Sequence, residues 1–257
     1  MRKVVVILLF ILIAFYFGFK NSIDNFIQKN IISNLIKYEG NDYYLENNYN
    51  YFKINNSLIA YDKEDLLNII YTFINKGTEK FSFFCSNDYF GCETDINDLM
   101  EDKSDIVYIN DFIHPYNSFA NINASIKNKK ITVTTTKIYS YSDIQNLNAI
   151  IKEIVDENID NTMDIKEKIK VLHNYMILNI DYDEIYADNI KNGIKNTNES
   201  NKATEALIKK HAVCSGYSDA LSILLNYLNI KNRKISNNIH VWNYVLIDDT
   251  WYHIDVT

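Results

Sequence analysis

Three side chains in the last quarter of the chain have types and spacing that could carry acyl chemistry: Cys214, His240 and Asp255. Cys214 stands where a short helical stretch breaks and a longer apolar one begins, and Leu221, Leu224, Leu225 and Leu228 give the longer stretch one buried face. A thiol at the amino end of a helix meets unpaired amide donors and the positive end of the dipole, and both favour the anion. Gly216 is expected to leave room there for a substrate backbone. The competing reading is a cysteine that only fills core space, which is common for free thiols.

The segment that follows tips the balance. Residues 239–247 (Ile-His-Val-Trp-Asn-Tyr-Val-Leu-Ile) and 251–257 (Trp-Tyr-His-Ile-Asp-Val-Thr) flank Asp248-Asp249-Thr250 and read as a hairpin. With a two-residue turn at Asp248 and Asp249, Ile247 faces Thr250, Trp242 faces Asp255 and His240 faces Thr257. Side chains on one face recur at every second residue, so His240 and Asp255 become diagonal neighbours on that face. A slip of one residue would separate them. A cysteine attacking a carbonyl needs an imidazole to take its proton and a carboxylate to fix and stabilise that imidazole. His253 shares the same face and is the rival base, but His240 is preferred because the turn sets Asp255 beside it from the adjacent strand.

The elements that must position these groups are legible upstream. Asp164 with Glu167 reads as a capped helix start, followed by Ile165, Ile169, Leu172, Met176 and Ile180 at intervals of three and four. His173 on that helix is expected to be a polar packing residue. Residues 189–202 read as a loop. Further upstream, Asp65–Asn75 and Ser142–Asn158 read as helices, with Asp143 supporting the second, while Lys80–Cys85 and Lys130–Tyr139 read as strands. His114 precedes Pro115 and is expected in a turn. Asp88, Glu93, Asp95, Asp98, Glu101 and Asp102 lack the order of a calcium loop and read as a solvated face.

Composition bounds the rest. The 257 residues carry 26 basic and 33 acidic side chains, 26 − 33 = −7, which excludes a basic nucleic-acid binder. Hydrophobic residues at 47% and aromatics at 14% suffice for one or two cores and exclude general disorder. Of three cysteines, Cys85 and Cys92 flank a short polar segment and either pair or fill core space separately, which leaves Cys214 without a nearby partner.

Met1, Arg2 and Lys3 precede an apolar run from Val4 to Phe19. It reads as a membrane anchor with the body outside the cytoplasm, or as a cleaved secretory signal. The expected division is a membrane segment at 1–20, a mixed α/β region at 21–159 and the chemistry-bearing core at 160–257. Residues 21–60 are rich in Asn and Tyr, and Ile23–Ile36 is expected to form a stalk or first helix.

The block Ala-Val-Cys-Ser-Gly-Tyr-Ser-Asp-Ala at 212–220, with His240-Val241-Trp242-Asn243 and Trp251 to Thr257, resembles the transglutaminase-like superfamily. The likeness extends upstream to residues 171–176 and to Asn179-Ile180-Asp181-Tyr182-Asp183, and covers roughly residues 160–257. It implies an α+β, papain-like core with a nucleophile helix packed on an antiparallel sheet. It further implies Cys214 as nucleophile, His240 as base and Asp255 as orienter, with no cofactor and no metal required. Family members usually continue beyond the orienter, so with Thr257 as its last residue Asp255 is expected on a frayed terminal strand.

The function expected is a surface-anchored thiol enzyme, an acyltransferase or cysteine peptidase. It would form an acyl-thioester on Cys214 from a Gln or peptide carbonyl and pass the acyl group to amine or water. A non-enzymatic surface module that binds partner proteins is the alternative. The expected partners are a protein or peptide substrate and, through residues 4–19, the membrane; no nucleic acid is expected.

Overall fold

The computed structural model describes residues 18, 20, 38–39, 49–52, 58–102 and 104–257. The apolar run Val4–Phe19, Gly18 apart, and the stretch Ile23–Ile36 lie outside them. Among the described residues no helix is long and apolar enough to cross a membrane. The chain forms two compact units. Of the described residues, one comprises those up to Phe73 with Lys80–Asp102 and Asn123–Thr134, the other Ile74–Glu79, 104–122 and Thr135–Thr257.

In the first unit, short strands β1 (Tyr38–Glu39) and β2 (Tyr51–Phe52) pair antiparallel. Strand β3 (Ile59–Ala60) leads into α1 (Lys63–Asn75), which buries Leu66, Ile69 and Ile70. Strand β4 (Lys80–Cys85) alternates as a half-buried strand must, with Phe81, Phe83 and Cys85 inward. Helix α2 (Cys92–Glu101) follows, and a Cys85–Cys92 disulfide ties its first residue to the end of β4. Of the acidic stretch, Asp88, Glu93, Asp98, Glu101 and Asp102 are exposed and Asp95 is half-buried, accepting from the Tyr89 hydroxyl. Strands β5 (Phe119–Lys127) and β6 (Lys130–Lys137), which run across the division between the units, complete a four-stranded sheet in the order β3-β4-β6-β5.

The second unit carries the helices and sheet that matter for the site. Helix α3 (Tyr141–Asn158) starts at a capping box of Ser140 and Asp143, and α4 (Ile165–Asn179) at one of Asp164 and Glu167. In α4 the positions Ile169, Leu172 and Met176 are buried while Ile165 is exposed, so the apolar stripe is narrower than the sequence pattern. Strand β7 (Asp181–Tyr182) follows, then α5 (Glu184–Lys191), capped by Asp183. The expected short helix before the break is a π-helix, Glu205–Lys209, closed by Lys210 in the left-handed region at φ 63°. Strand β8 (His211–Ala212) pairs parallel with β7.

Helix α6 (Cys214–Tyr227) is almost wholly buried beyond its first turn, with Leu221, Leu224 and Leu225 in the core. It packs on a three-stranded antiparallel sheet of β9 (Asn232–Ser236), β10 (Val241–Ile247) and β11 (Thr250–Ile254), in the order β11-β10-β9. The β10–β11 register is the expected one, from Ile247 opposite Thr250 to Asn243 opposite Ile254. Asp248 and Asp249 both take positive φ, 49° and 60°, as a tight two-residue hairpin turn requires and as aspartate tolerates.

A buried polar line stitches α6 to this sheet. The Asp219 carboxylate takes the Lys234 ammonium at 2.6 Å and the Tyr139 hydroxyl at 2.6 Å, and the Tyr139 oxygen accepts from the Ala203 amide at 2.9 Å. His114, in the expected turn before Pro115, accepts from the Tyr116 amide through Nδ1 at 3.1 Å. Burial disfavours its cation and the Lys234 charge adds to that, so its pKa is pushed down to about 4 against the pull of Asp219.

A histidine whose folded pKa lies below its unfolded value binds fewer protons in the folded state. Its effect is absent above the unfolded value of 6.5, and folding stability is lost as pH falls from there toward 4. His114→Asn keeps an acceptor for the Tyr116 amide without a titrating ring. Urea unfolding across this pH range is expected to show a shallower fall in stability for His114→Asn than for the wild type; parallel profiles would contradict the assignment.

Candidate active site

Cys214 is the first residue of α6, a free thiol and half-buried. Val213, the residue before it, supplies no capping side chain, so the first amides of the helix have no side-chain acceptor from that position. The Tyr182 hydroxyl lies beside Cys214, near enough for the two groups to interact electrostatically. That contact follows from the backbone. Asp181 lies opposite His211 and Tyr182 opposite Ala212 in the β7–β8 pair, which leaves Tyr182 beside the residues that enter the helix. Tyr217, one turn into α6, fixes the same place by donating its hydroxyl to the Ile180 carbonyl.

The other wall of the helix entrance is the segment before β8. Asp183 accepts from the Tyr186 amide at 2.9 Å and from Asn198 at 2.8 Å, and from the Ser200 hydroxyl as well. Val213 in turn donates its amide to the Ser200 carbonyl at 2.9 Å. These bonds hold the Asp183 carboxyl below its ordinary value: burial raises it, and the Ser200, Tyr186 and Asn198 donors outweigh that. The same segment corrects the expectation for Gly216. A β-carbon at Gly216 would stand 2.6 Å from the Ser200 carbonyl oxygen and 3.0 Å from that of Lys202. The glycine makes room for the protein's own chain rather than for a substrate.

His240 and Asp255 meet. His240 Nε2 and Asp255 Oδ2 are 2.7 Å apart. Both residues sit just outside the paired strands, His240 before β10 and Asp255 after β11, so the diagonal contact expected within the ladder forms at its open end. Two local devices hold that end. Asn237 accepts the amides of Ile239 and His240 through its side chain at 3.0 and 2.9 Å and donates its own amide to the His240 carbonyl at 2.9 Å. Asp255 Oδ1 accepts from the Thr257 amide at 3.1 Å and the Thr257 hydroxyl at 2.6 Å, and Val256 between them is buried. Strand pairing has ended before Asp255, and these side-chain bonds are what hold the residue in place there. Burial alone would raise the Asp255 carboxyl, but the bonds from Thr257 and His240 hold it below its ordinary value.

The sheet is aligned along α6 by three contacts. Asn232 of β9 bonds Asn226 near the end of the helix at 2.8 Å, and Lys234 bonds Asp219 nearer its start. Asn243 of β10 donates to the Ser218 carbonyl and to Ser222, each at 2.9 Å. Strand β9 thus runs toward the amino end of α6, and its last residue Ser236 is paired with Val241. The end of β10 that carries His240 is consequently the Cys214 end of the helix. Asp111, buried, fixes that end from behind by accepting the Ser236 amide at 3.0 Å and the Ser236 hydroxyl.

His253, the rival base, is turned to another task. Its Nδ1 accepts from Trp242 Nε1 at 2.8 Å, and the Trp242 ring stacks on His240 with centroids 5.6 Å apart. His173 lies on α4 beside His253 and Asp255, with a 3.3 Å contact to the adjacent Asn174. Sequence reasoning passed over Tyr182 as a site residue, although the Tyr-Asp pair at 182–183 stood among the residues that carried the resemblance. It also passed over Asp219, Lys234 and Asp111, whose burial no spacing reveals.

Residues 152–256 match the family model described as Transglutaminase-like superfamily. That part of the chain is a transglutaminase-like domain, in which an α/β core brings a cysteine at a helix start into one region with a His–Asp pair. Among the solved structures similar to the chain are the following two. One, described as a crystal structure of a TGase, is 14% identical over 55% of this chain and 44% of its own, with a TM-score of 0.42. The other, described as a candidate cysteine protease from Cytophaga hutchinsonii, is 12% identical over 53% of this chain and 61% of its own, with a TM-score of 0.34. The chain thus spans about half of the first structure and under two thirds of the second. No curated protein matches it.

A carboxylate with a depressed pKa stabilises the fold above its unfolded value, and that contribution is lost as pH falls. Because His240 and Thr257 are what depress Asp255, His240→Ala and Thr257→Val are each expected to move its titration midpoint upward, read by carboxyl-carbon NMR. An unmoved midpoint in both variants would contradict the contacts described.

Proposed function

We propose that the chain is an exported thiol enzyme that takes an acyl group from a Gln carboxamide or a peptide carbonyl onto Cys214 and passes it to an amine or to water. The observation that carries this reading is the 2.7 Å His240–Asp255 contact at the Cys214 end of α6.

The chemistry follows from the atoms. An ionised Asp255 accepts from Nε2–H of His240, so the basic lone pair is on Nδ1. Nδ1 takes the Cys214 proton, and the sulfur attacks the carbonyl carbon to give a tetrahedral oxyanion. The Cys214 amide and the Tyr182 hydroxyl are both at the helix start, and both are donors suited to that oxygen. The C–N bond then breaks, and the imidazolium returns its proton to the leaving ammonia or amine. The remaining thioester is attacked by an incoming amine or water while His240 takes its proton; the C–S bond breaks, and the Cys214 thiolate that leaves recovers the proton from the imidazolium. Burial chiefly, and the neighbouring Cys214 next, raise the Tyr182 pKa, which keeps the hydroxyl protonated as a donor.

Export is supported by the Cys85–Cys92 disulfide, since such bonds persist in oxidising compartments. It is supported also by the basic start and apolar run of residues 1–19, read as an anchor that leaves the body outside the cytoplasm.

Incubation with a Gln-containing peptide and a primary amine, followed by mass analysis, is expected to show amine incorporation, conversion of Gln to Glu, or chain cleavage. Cys214→Ala should abolish whichever product forms. Tyr182→Phe should lower its rate by roughly 10²-fold, the scale for losing one oxyanion donor. Absence of every product from protein whose Cys214 still alkylates would favour a binding module instead.

A further inference from the structure

Beside Asp255, on the side of the hairpin that meets α4, lies a cavity of about 420 Å³. Its apolar lining is Ile169 of α4 with Ile247 and Ile254 of the hairpin, two of them at or near the ends of their strands. Its polar lining is unusual in sign for a chain of net charge −7: Lys166, Lys170, His173 and His253, with Asp255 the one acid.

The state of each polar group is set by its partners. Lys166 bonds Asp248 in the hairpin turn at 3.1 Å and is thereby neutralised. Asp255 has both oxygens engaged, Oδ2 by His240 and Oδ1 by Thr257. His253 Nδ1 accepts the Trp242 indole N–H, so its proton in the neutral ring is on Nε2, which makes that nitrogen a donor. Lys170 makes no ion pair among the described residues. The cavity therefore offers, beside an apolar wall, an ammonium with no ion-pair partner among the described residues and an imidazole donor, while the Asp255 carboxylate is occupied by His240 and Thr257.

We propose that this cavity is a specificity subsite for a substrate carboxylate, the side chain of a Glu or Asp flanking the reacting residue of a peptide. It rests on the reading of Cys214, His240 and Asp255 as the reacting centre, because Asp255 is shared by the two. The carboxylate bonds Lys170, with His253 Nε2–H as a second donor, while the methylenes of the same side chain lie against the isoleucines. Charge-assisted bonds of this kind account for discrimination of about tenfold or more over a neutral side chain.

The test separates binding from catalysis by using a peptide that cannot react. A capped tetrapeptide with two Glu and no Gln is titrated into the full chain by calorimetry, against the same peptide with Ser at both positions. The Glu peptide is expected to bind about tenfold tighter or more, and Lys170→Gln to remove most of that preference while Lys170→Arg retains it. The imidazole signals of His253 should shift on addition of the Glu peptide and not of the Ser peptide. Equal binding of the two peptides, or a preference unchanged in Lys170→Gln, overturns the subsite. The reading of Cys214 is tested apart from Lys170, by the alkylation rates of the wild type and His240→Ala: a slower rate in His240→Ala supports the reacting centre whatever the peptide titration shows. A failed subsite is in this way distinguished from a failed reading of Cys214.

Discussion

The Asp219 carboxylate is the interaction on which the second unit depends. It lies on the buried side of α6 and gathers the Lys234 ammonium from the sheet and the Tyr139 hydroxyl from the segment before α3. Tyr139 in turn holds the Ala203 amide, at the head of the π-helix that leads into β8 and Cys214. One side chain thus joins the nucleophile helix to the strands bearing the base and to the chain that delivers the nucleophile. A buried ion pair of this kind is a poor source of net stability, because desolvation of both charges offsets the attraction, but losing one partner costs ~3–5 kcal/mol. What it supplies here is alignment, since an apolar pair would tolerate sliding of the sheet along α6 and a directed charge pair does not.

Alignment matters because the site is assembled from ends. Cys214 begins a helix, Tyr182 closes a two-residue strand, His240 precedes β10 and Asp255 follows β11. None is held by the interior of its own element, so each needs a dedicated bond: Asn237 for His240, Thr257 for Asp255, the β7–β8 pair for Tyr182. The outward face of β10 then carries a layer of rings, with Trp242 between His240 and His253 and Tyr244 against His253 and Trp251. That layer shields the His240–Asp255 contact on one side and shapes the cavity beside Asp255 through His253.

Local rules made much of this legible beforehand. The Asp164–Glu167 cap, the alternating strands and the Asp-Asp turn are written in short-range chemistry, and the turn alone set the hairpin register that brings His240 to Asp255. Two things were not legible. Gly216 looked like an opening for substrate, and only the fold shows Ser200 and Lys202 packed against it. The roles of Tyr182 and Lys234 depend on partners 32 and 15 positions away, at Cys214 and Asp219, and no periodicity encodes such pairings.

The central claim is that His240, aligned by these contacts, acts on the Cys214 thiol. With Cys85 and Cys92 joined, Cys214 is the one free thiol among the described residues, so alkylation of the folded protein reports on it alone. The second-order rate of iodoacetamide labelling at neutral pH is predicted to fall by ~10-fold or more in His240→Ala, as expected when a thiol loses its base. Equal rates in the two proteins, with folding unchanged by circular dichroism, would contradict the account.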